Sequence, residues 1–309
     1  MTACEPKLRI ALFTAAPRFG RRALQEVLAA HWSVVAVALF RQERRGLRDL
    51  LPRAAGMRSL SPLEHYAREQ GIAVIHVTDS NGPAVAERLR SARPDLICVA
   101  TFPRLIPREI TQLAPLGAIN VHPSLLPRHR GPLPLFWTYY ADDRTAGVTV
   151  HHVSDVFDAG DIILQEGFPL PRAYCAAALS DEVARRGTSL LRAASDALAR
   201  GNAPRVEQDE RAATYAPRIR PGAAMVRFDE WDVERVWHFL AALVPRFREP
   251  LEDSEGRVVD YRHVAGFERG SSGAPGTTET VIGGWKLHCR GGIVLLGSGK
   301  RPHLLQQLD

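Results

Sequence analysis

The chain has 309 residues, 45% of them hydrophobic and 24% charged, with a formal net charge of +6. This composition describes a soluble globular protein with a full core, and the length favours two domains over one. No stretch approaches the roughly 18 uninterrupted apolar residues of a membrane helix, so a helical membrane protein is excluded.

The first apolar run, LRIALFTAA (8–16), reads as a buried strand. A secretory leader would need a longer apolar region and a small-residue cleavage site. Four cysteines, Cys4, Cys98, Cys175 and Cys289, lie far apart with no CxxC spacing. That pattern predicts reduced thiols in a cytoplasmic protein and no metal site. The positive charge fits an anionic substrate or nucleic acid, but arginines are spread throughout and much of the charge belongs to solvated surface.

A helix is predicted from about Arg21 to Ala30, then a second β-branched run, SVVAVALF (33–40), and a basic loop, RQERRGLRDLLPRAAGMRS. In SPLEHYAREQG, Ser61 is a cap, Pro62 suits the first helical position, Glu64 completes a capping box and Gly71 is the stop. IAVIHV (72–77), a helix around 82–92, and DLICVATF (95–102) continue the alternation. A short helix from Pro107 leads into the strand GAINVHP. Strand–helix repetition with near-continuous apolar strands predicts an α/β, Rossmann-like, mostly parallel sheet with helices on both faces. Its ligands should lie beyond the carboxyl ends of the strands. The turn after the first strand lacks GxGxxG, which argues against a dinucleotide site.

GVTVHHV (147–153) and DIILQEGFPL (161–170) read as later strands joined by SDVFDAG, followed by a long helix from Ser180 to about Arg200. Beyond it the character changes: one helix, DEWDVERVWHFLAAL, precedes short strand-like pieces broken by Gly and Pro. The expected organisation is a catalytic domain over 1–205 and a small OB-like β domain over 206–309.

The stretch AINVHPSLLPRHRG (118–131) holds the chemistry. Alternation on a strand sends the side chains of Asn120 and His122 to one face, just where the strand hands over to a loop. NVHPSLLPRHRG, followed by TAGVTVHHVSDVFDAGDII, resembles the folate-dependent formyltransferases. That family includes methionyl-tRNA formyltransferases, glycinamide ribonucleotide transformylases and amino-sugar N-formyltransferases. Its pattern is N-x-H-x-S-L-L-P and then an Asp in a D-x-G-D-like loop, matched here by Asn120, His122, Ser124 and Asp158. The resemblance implies a catalytic set of Asn120, His122 and Asp158, with 10-formyltetrahydrofolate as co-substrate. An amide and a protonated imidazole would stabilise the tetrahedral oxyanion, and Asp158 would orient the ring and help relay the proton of the attacking amine.

By the same resemblance the folate pocket draws on Phe102, Arg104, Leu105, Ile106, Asp155 and Phe157. Ser124 is placed on this side too, although locally it reads as the residue that holds the turn. Phe19 would face the acceptor and His129 would stand near its entrance. Asp161 reads as a turn residue, and His151 and His152, on opposite faces of one strand, make a poor metal pair.

Around the acceptor side the chain departs from methionyl-tRNA formyltransferases. It has RGPLPLFWTYY where they carry small residues of the R-G-A-A-P type, PRF where they carry P-D-F, and no P-x-R-P-x-G-R-G pattern after the second strand. The expected acceptor is therefore the primary amine of a small molecule: an amino sugar, an amino acid or a biosynthetic intermediate. Initiator methionyl-tRNA is the alternative and water, giving a formyltetrahydrofolate hydrolase, the third. A different class, an RNA-binding protein whose β domain does the work, predicts salt-dependent RNA binding with no need for His122. The oligomeric state is not legible.

Overall fold

The computed structural model describes residues 8–30, 32–42, 60–220, 225–244 and 251–299. Of the basic loop after the second strand, residues 41–59, all but the first two lie outside the described residues. No described helix is long and apolar enough to cross a membrane.

A seven-stranded sheet is built in the order β3-β2-β1-β4-β5-β6-β7. Its strands are β1 (Arg9–Thr14), β2 (Ser33–Phe40), β3 (Val74–Val77), β4 (Leu96–Ala100), β5 (Ala118–His122), β6 (Thr145–His152) and β7 (Ile162–Pro169). The pairs from β3 through to β5 are parallel, and β6 runs antiparallel to β5. Helices α1 (Pro17–Ala29), α2 (Pro62–Glu69), α3 (Gly82–Ala92), α4 (Arg108–Thr111), α5 (Pro134–Tyr140) and α6 (Ala176–Ala199) connect or follow these strands.

The near-continuous apolar strands are explained by burial on both faces. Ala11, Phe13, Ile97 and Val99 pack on one side with Val85 and Leu89 of α3 and Ile110 of α4. Ile10, Leu12, Leu96 and Cys98 are equally buried on the alternate side, where the Cys98 thiol lies 3.7 Å from the Ser195 hydroxyl of α6. The capping box of α2 forms as its sequence dictates. The Ser61 Oγ accepts from the Glu64 N–H at 3.3 Å, and the Glu64 carboxylate accepts from the Ser61 N–H at 2.9 Å.

The strand order turns back between β1 and β4, which makes their carboxyl ends the natural crevice of the sheet. Thr101, just beyond β4, sits there at φ 61, an unusual conformation for a β-branched residue.

The chain divides into two compact units. One comprises the described residues up to Gly131 with Gly147–Gly167 and Val183–Tyr215; the other comprises Pro132–Ala146, Phe168–Glu182 and the described residues from Ala216. The second carries α7 (Val233–Leu243), whose first turn is capped by the Asp232 carboxylate. It also carries β8 (Leu251–Glu252), β9 (Val258–Val259), β10 (His263–Arg269), β11 (Thr278–Val281), β12 (Gly284–Cys289) and β13 (Gly292–Gly297). The last four form an antiparallel sheet in the order β10-β13-β12-β11, so the expected β-rich C-terminal region is present.

Helix α5 carries the aromatic residues that follow Gly131. Leu135, Phe136 and Tyr139 are buried, and Phe136 and Tyr140 pack edge-on against Phe239, 5.5 and 5.9 Å between ring centres. Leu135, Phe136 and Tyr139 of the RGPLPLFWTYY run thus serve interior packing of the second unit.

Candidate active site

Alternation on β5 sends Asn120 and His122 to the same face, and both reach one carboxylate oxygen. The Asn120 Nδ2 lies 3.4 Å from the Asp158 Oδ1, and the His122 Nδ1 lies 3.5 Å from the same atom. The three residues singled out for chemistry are therefore brought together at the carboxyl end of β5.

A fourth residue completes the cluster. His151 stands directly opposite Asn120 in the β5–β6 pairing. Its Nε2 accepts from the Asn120 amide at 3.1 Å and lies 3.6 Å from the Asp158 Oδ1. In the sequence His151 stands out only as half of a poor metal pair with His152. The signal that would have found it is the register of two strands, which no local pattern carries.

Each imidazole is anchored by one nitrogen to a backbone carbonyl. His122 Nε2 donates to the His129 carbonyl at 2.8 Å, and His151 Nδ1 donates to the His152 carbonyl at 2.8 Å. A carbonyl only accepts, so those nitrogens carry the hydrogens. The other nitrogen of each ring is left facing Asp158, where it can take up a proton. Burial pushes His122 below the ordinary imidazole range, against the opposing pull of Asp158 and the His129 carbonyl. Burial would raise the Asp158 carboxyl, but His122, His151 and the Gly131 N–H outweigh it and hold it down at about 2. Burial thus opposes the imidazolium expected from the sequence, and the Asp158 carboxylate favours it.

The loop carrying Asp158 is tightly determined. Asp158 has φ 56, and its Oδ2 accepts from the Gly131 N–H at 2.8 Å. Gly160 cannot carry a side chain, since a Cβ there would lie 1.9 Å from the His152 oxygen. The turn after β5 is fixed by Thr149, whose hydroxyl donates to the Ser124 carbonyl at 2.7 Å and accepts from the Leu126 N–H at 3.2 Å.

Beside the cluster opens a cleft lined by Val99, Phe102, Arg104, Leu105, Ile106 and Phe157 together with Asn120, His151 and Asp158. Its free volume is small, about 40 Å³, and Leu105, Val156 and Phe157 are exposed there to 41%, 61% and 47%. Five of the residues assigned to a folate pocket, Phe102, Arg104, Leu105, Ile106 and Phe157, thus line one cleft. Arg104 is held by Asp79, Nε to Oδ1 at 2.6 Å, with its guanidinium 5.1 Å from the Phe40 ring centre.

The other expected site residues are placed differently. Ser124 is buried, and its hydroxyl donates to the Arg128 carbonyl at 2.7 Å, which makes it a turn residue. Asp155 is exposed beside the cleft. His129 is buried with φ 59, and it is its carbonyl that meets His122. Phe19, half-buried on α1, lies against Gly187 of α6, where a Cβ would sit 3.6 Å from the tip of its ring.

A sequence profile described as formyl transferase matches residues 8–194. The chain belongs to the formyl transferase family. It is 31% identical to a methionyl-tRNA formyltransferase of Syntrophus aciditrophicus over 86% of this chain and 82% of that one. In fold it matches an N-formyltransferase of Helicobacter canadensis solved with folinic acid and dTDP-3-aminofucose, at a TM-score of 0.68 and 16% identity, over 95% of this chain and 99% of that one. It also matches HypX of Aquifex aeolicus in complex with tetrahydrofolic acid, at a TM-score of 0.60 and 19% identity. That match covers 94% of this chain and 44% of the other, so the chain spans less than half of HypX. As a formyltransferase, the chain has its Asn120–His122–Asp158 cluster inside the matched stretch, while residues after 194 lie outside it.

Proposed function

We propose that this formyltransferase moves the formyl group of 10-formyltetrahydrofolate to the primary amine of a small molecule, using Asn120, His122 and Asp158. The observation that carries this reading is the convergence of Asn120 Nδ2 and His122 Nδ1 on the Asp158 Oδ1, with Asn120 and Asp158 lining an apolar cleft. The cleft suits a flat heteroaromatic ring. Apolar walls from Phe102, Leu105, Ile106, Val156 and Phe157 would cover its faces, and the small free volume puts part of it at the exposed mouth. Folinic acid and tetrahydrofolic acid in the two solved relatives support a folate there.

The acceptor nitrogen attacks the formyl carbon, and the carbonyl oxygen takes the negative charge. The Asn120 hydrogen directed at Asp158 makes the longer of its two contacts and is the one free to turn to that oxygen. One such donor is worth about 3–4 kcal/mol to the transition state. The proton lost by the amine passes to the neutral His122 at Nδ1, directly or through water, where the Asp158 carboxylate stabilises the imidazolium. His122 returns it as the carbon–nitrogen bond to the folate breaks, and tetrahydrofolate leaves.

A small acceptor is favoured by Arg18 in the PRF turn, where methionyl-tRNA formyltransferases carry P-D-F, and by the absent P-x-R-P-x-G-R-G pattern. Initiator methionyl-tRNA is the second reading, favoured by the methionyl-tRNA formyltransferase relatives. The test offers 10-formyltetrahydrofolate with a panel of amino sugars and amino acids, with charged methionyl-tRNA, and with no amine, and follows tetrahydrofolate release. Turnover with a small amine that is lost in His122→Ala supports the lead reading. Turnover with tRNA alone replaces it with the second, and turnover without amine makes water the acceptor.

A further inference from the structure

Residues 206–215 follow the stretch that defines the family and return to the site as a strap. At one end Val206 exchanges backbone hydrogen bonds with Ile162, at 2.8 and 3.0 Å, just past the Asp158 loop. At the other end Thr214 meets the loop after β5. Its carbonyl accepts from the Arg130 N–H at 2.9 Å, its N–H donates to the Pro127 carbonyl at 3.2 Å, and its hydroxyl accepts from the His129 N–H at 2.9 Å.

Between these ends two buried side chains interlock. Gln208 donates through its Nε2 to the carbonyls of Asp158 at 2.9 Å and Gly160 at 2.7 Å. Its Oε1 accepts from the Arg130 Nε at 3.1 Å and Nη2 at 2.8 Å. Arg130, only 2% exposed, also grips the Glu210 carboxylate with Nη1 at 2.9 Å and Nη2 at 2.8 Å. The amide orientation is fixed by chemistry: a guanidinium only donates and a carbonyl only accepts, so the oxygen faces Arg130 and the nitrogen faces the loop. The residue after Arg130 holds the other end of Asp158, through the Gly131 N–H.

We propose that Gln208, polarised by Arg130, is a positioning residue that sets the Asp158 carboxylate against His122. The backbone of Asp158 is in the left-handed region, a conformation that a non-glycine residue keeps when its surroundings enforce it. Gln208 fixes the carbonyl of that residue and Gly131 fixes its carboxylate, so Arg130 and Gly131 set both ends of Asp158 from one short segment. The roles of Asp158 and His122 rest on the reading under Proposed function; the clamp itself can be tested without it.

The variants are Gln208→Leu and Gln208→Glu, with Asp209→Ala as an exposed control on the same strap. Gln208→Glu keeps the length and the Arg130 contact but presents no N–H to the two carbonyls. Circular dichroism establishes that each is folded, and Gln208→Glu decides the matter should Gln208→Leu fail to fold. Both are expected to lower kcat for formyl transfer by about tenfold to a hundredfold, as a misplaced catalytic group does, with KM for 10-formyltetrahydrofolate within about twofold. The ¹⁵N imidazole NMR signal of His122 Nδ1 is expected to move in both variants and to stay in place in Asp209→Ala. A kcat within about twofold of wild type, or an unmoved His122 signal, overturns the proposal. Should the wild type transfer formyl to no acceptor, the functional reading fails, and the His122 signal alone still decides the clamp.

Discussion

His151 and Asn120 face each other across β5 and β6, and the Asn120 amide donates to the His151 Nε2 at 3.1 Å. With His151 Nδ1 held by the His152 carbonyl, the ring cannot turn away, and the amide of Asn120 is kept with its nitrogen toward Asp158. Replacing His151 by Leu removes the acceptor of the shorter contact and leaves the amide tied to Asp158 alone, so the oxyanion donor is misplaced. The expected outcome is a fall in kcat of about tenfold to a hundredfold, since a full donor loss costs about 100-fold or more. Steady-state kinetics beside Asn120→Ala check this: Asn120→Ala should be the more damaging, and adding His151→Leu to it should cost little more.

Asp158 is held as a carboxylate and raises the proton affinity of His122, while burial lowers it. Asp158→Asn therefore lowers the His122 pKa further. The rate depends on neutral His122 receiving a proton, so the acidic limb of the pH–rate profile should move to lower pH in Asp158→Asn. The plateau should fall by about 100-fold or more, because the imidazolium formed in the transition state has lost its counter-charge. A profile measured from acid to neutral pH with wild type and variant decides it; an unmoved limb would sink this assignment.

Local pattern carried part of this site and long-range pairing carried the rest. Alternation alone places Asn120 and His122 on one face, and the capping box of α2 needs only Ser61, Pro62 and Glu64. His151 became visible only when β6 paired antiparallel with β5, because a register between strands is not written in either strand. Gln208 is more remote still, 50 residues from Asp158, and in an irregular segment with no period to read. In the aromatic run after Gly131, the burial of Phe136 and Tyr139 became visible only once α5 had packed, because the run itself has no alternation to read.

The buried Glu64 offers a stability test away from the site. Burial would raise its carboxyl, but the Ser61 N–H, the His76 ring, the Ser61 hydroxyl and the Arg41 guanidinium outweigh it and lower it from 4.5 to about 2. A depressed carboxyl stabilises the fold above its unfolded pKa, and the contribution is lost as pH falls through the folded value. The difference is worth about 3 kcal/mol. Glu64→Gln should therefore be less stable than wild type by about 2–3 kcal/mol at neutral pH. Denaturant titrations should show that deficit shrinking below pH 4.5 and vanishing only as pH falls below about 2.

Two glycines should answer oppositely to alanine. At Gly160 a Cβ would press to 1.9 Å from the His152 oxygen, and that contact is backbone, which cannot swing aside. The loop must open to relieve it, and the loop carries Asp158. Gly160→Ala should cost about 2 kcal/mol of stability and lower turnover at the same time. At Gly82, the first residue of α3, nothing lies within 4 Å of the added carbon. Gly82→Ala restricts the unfolded chain and should stabilise by about 0.5 kcal/mol with activity unchanged. Thermal melts and kinetics on the pair separate the two effects: a Gly160→Ala protein with wild-type turnover would show that Asp158 does not depend on the path of its loop.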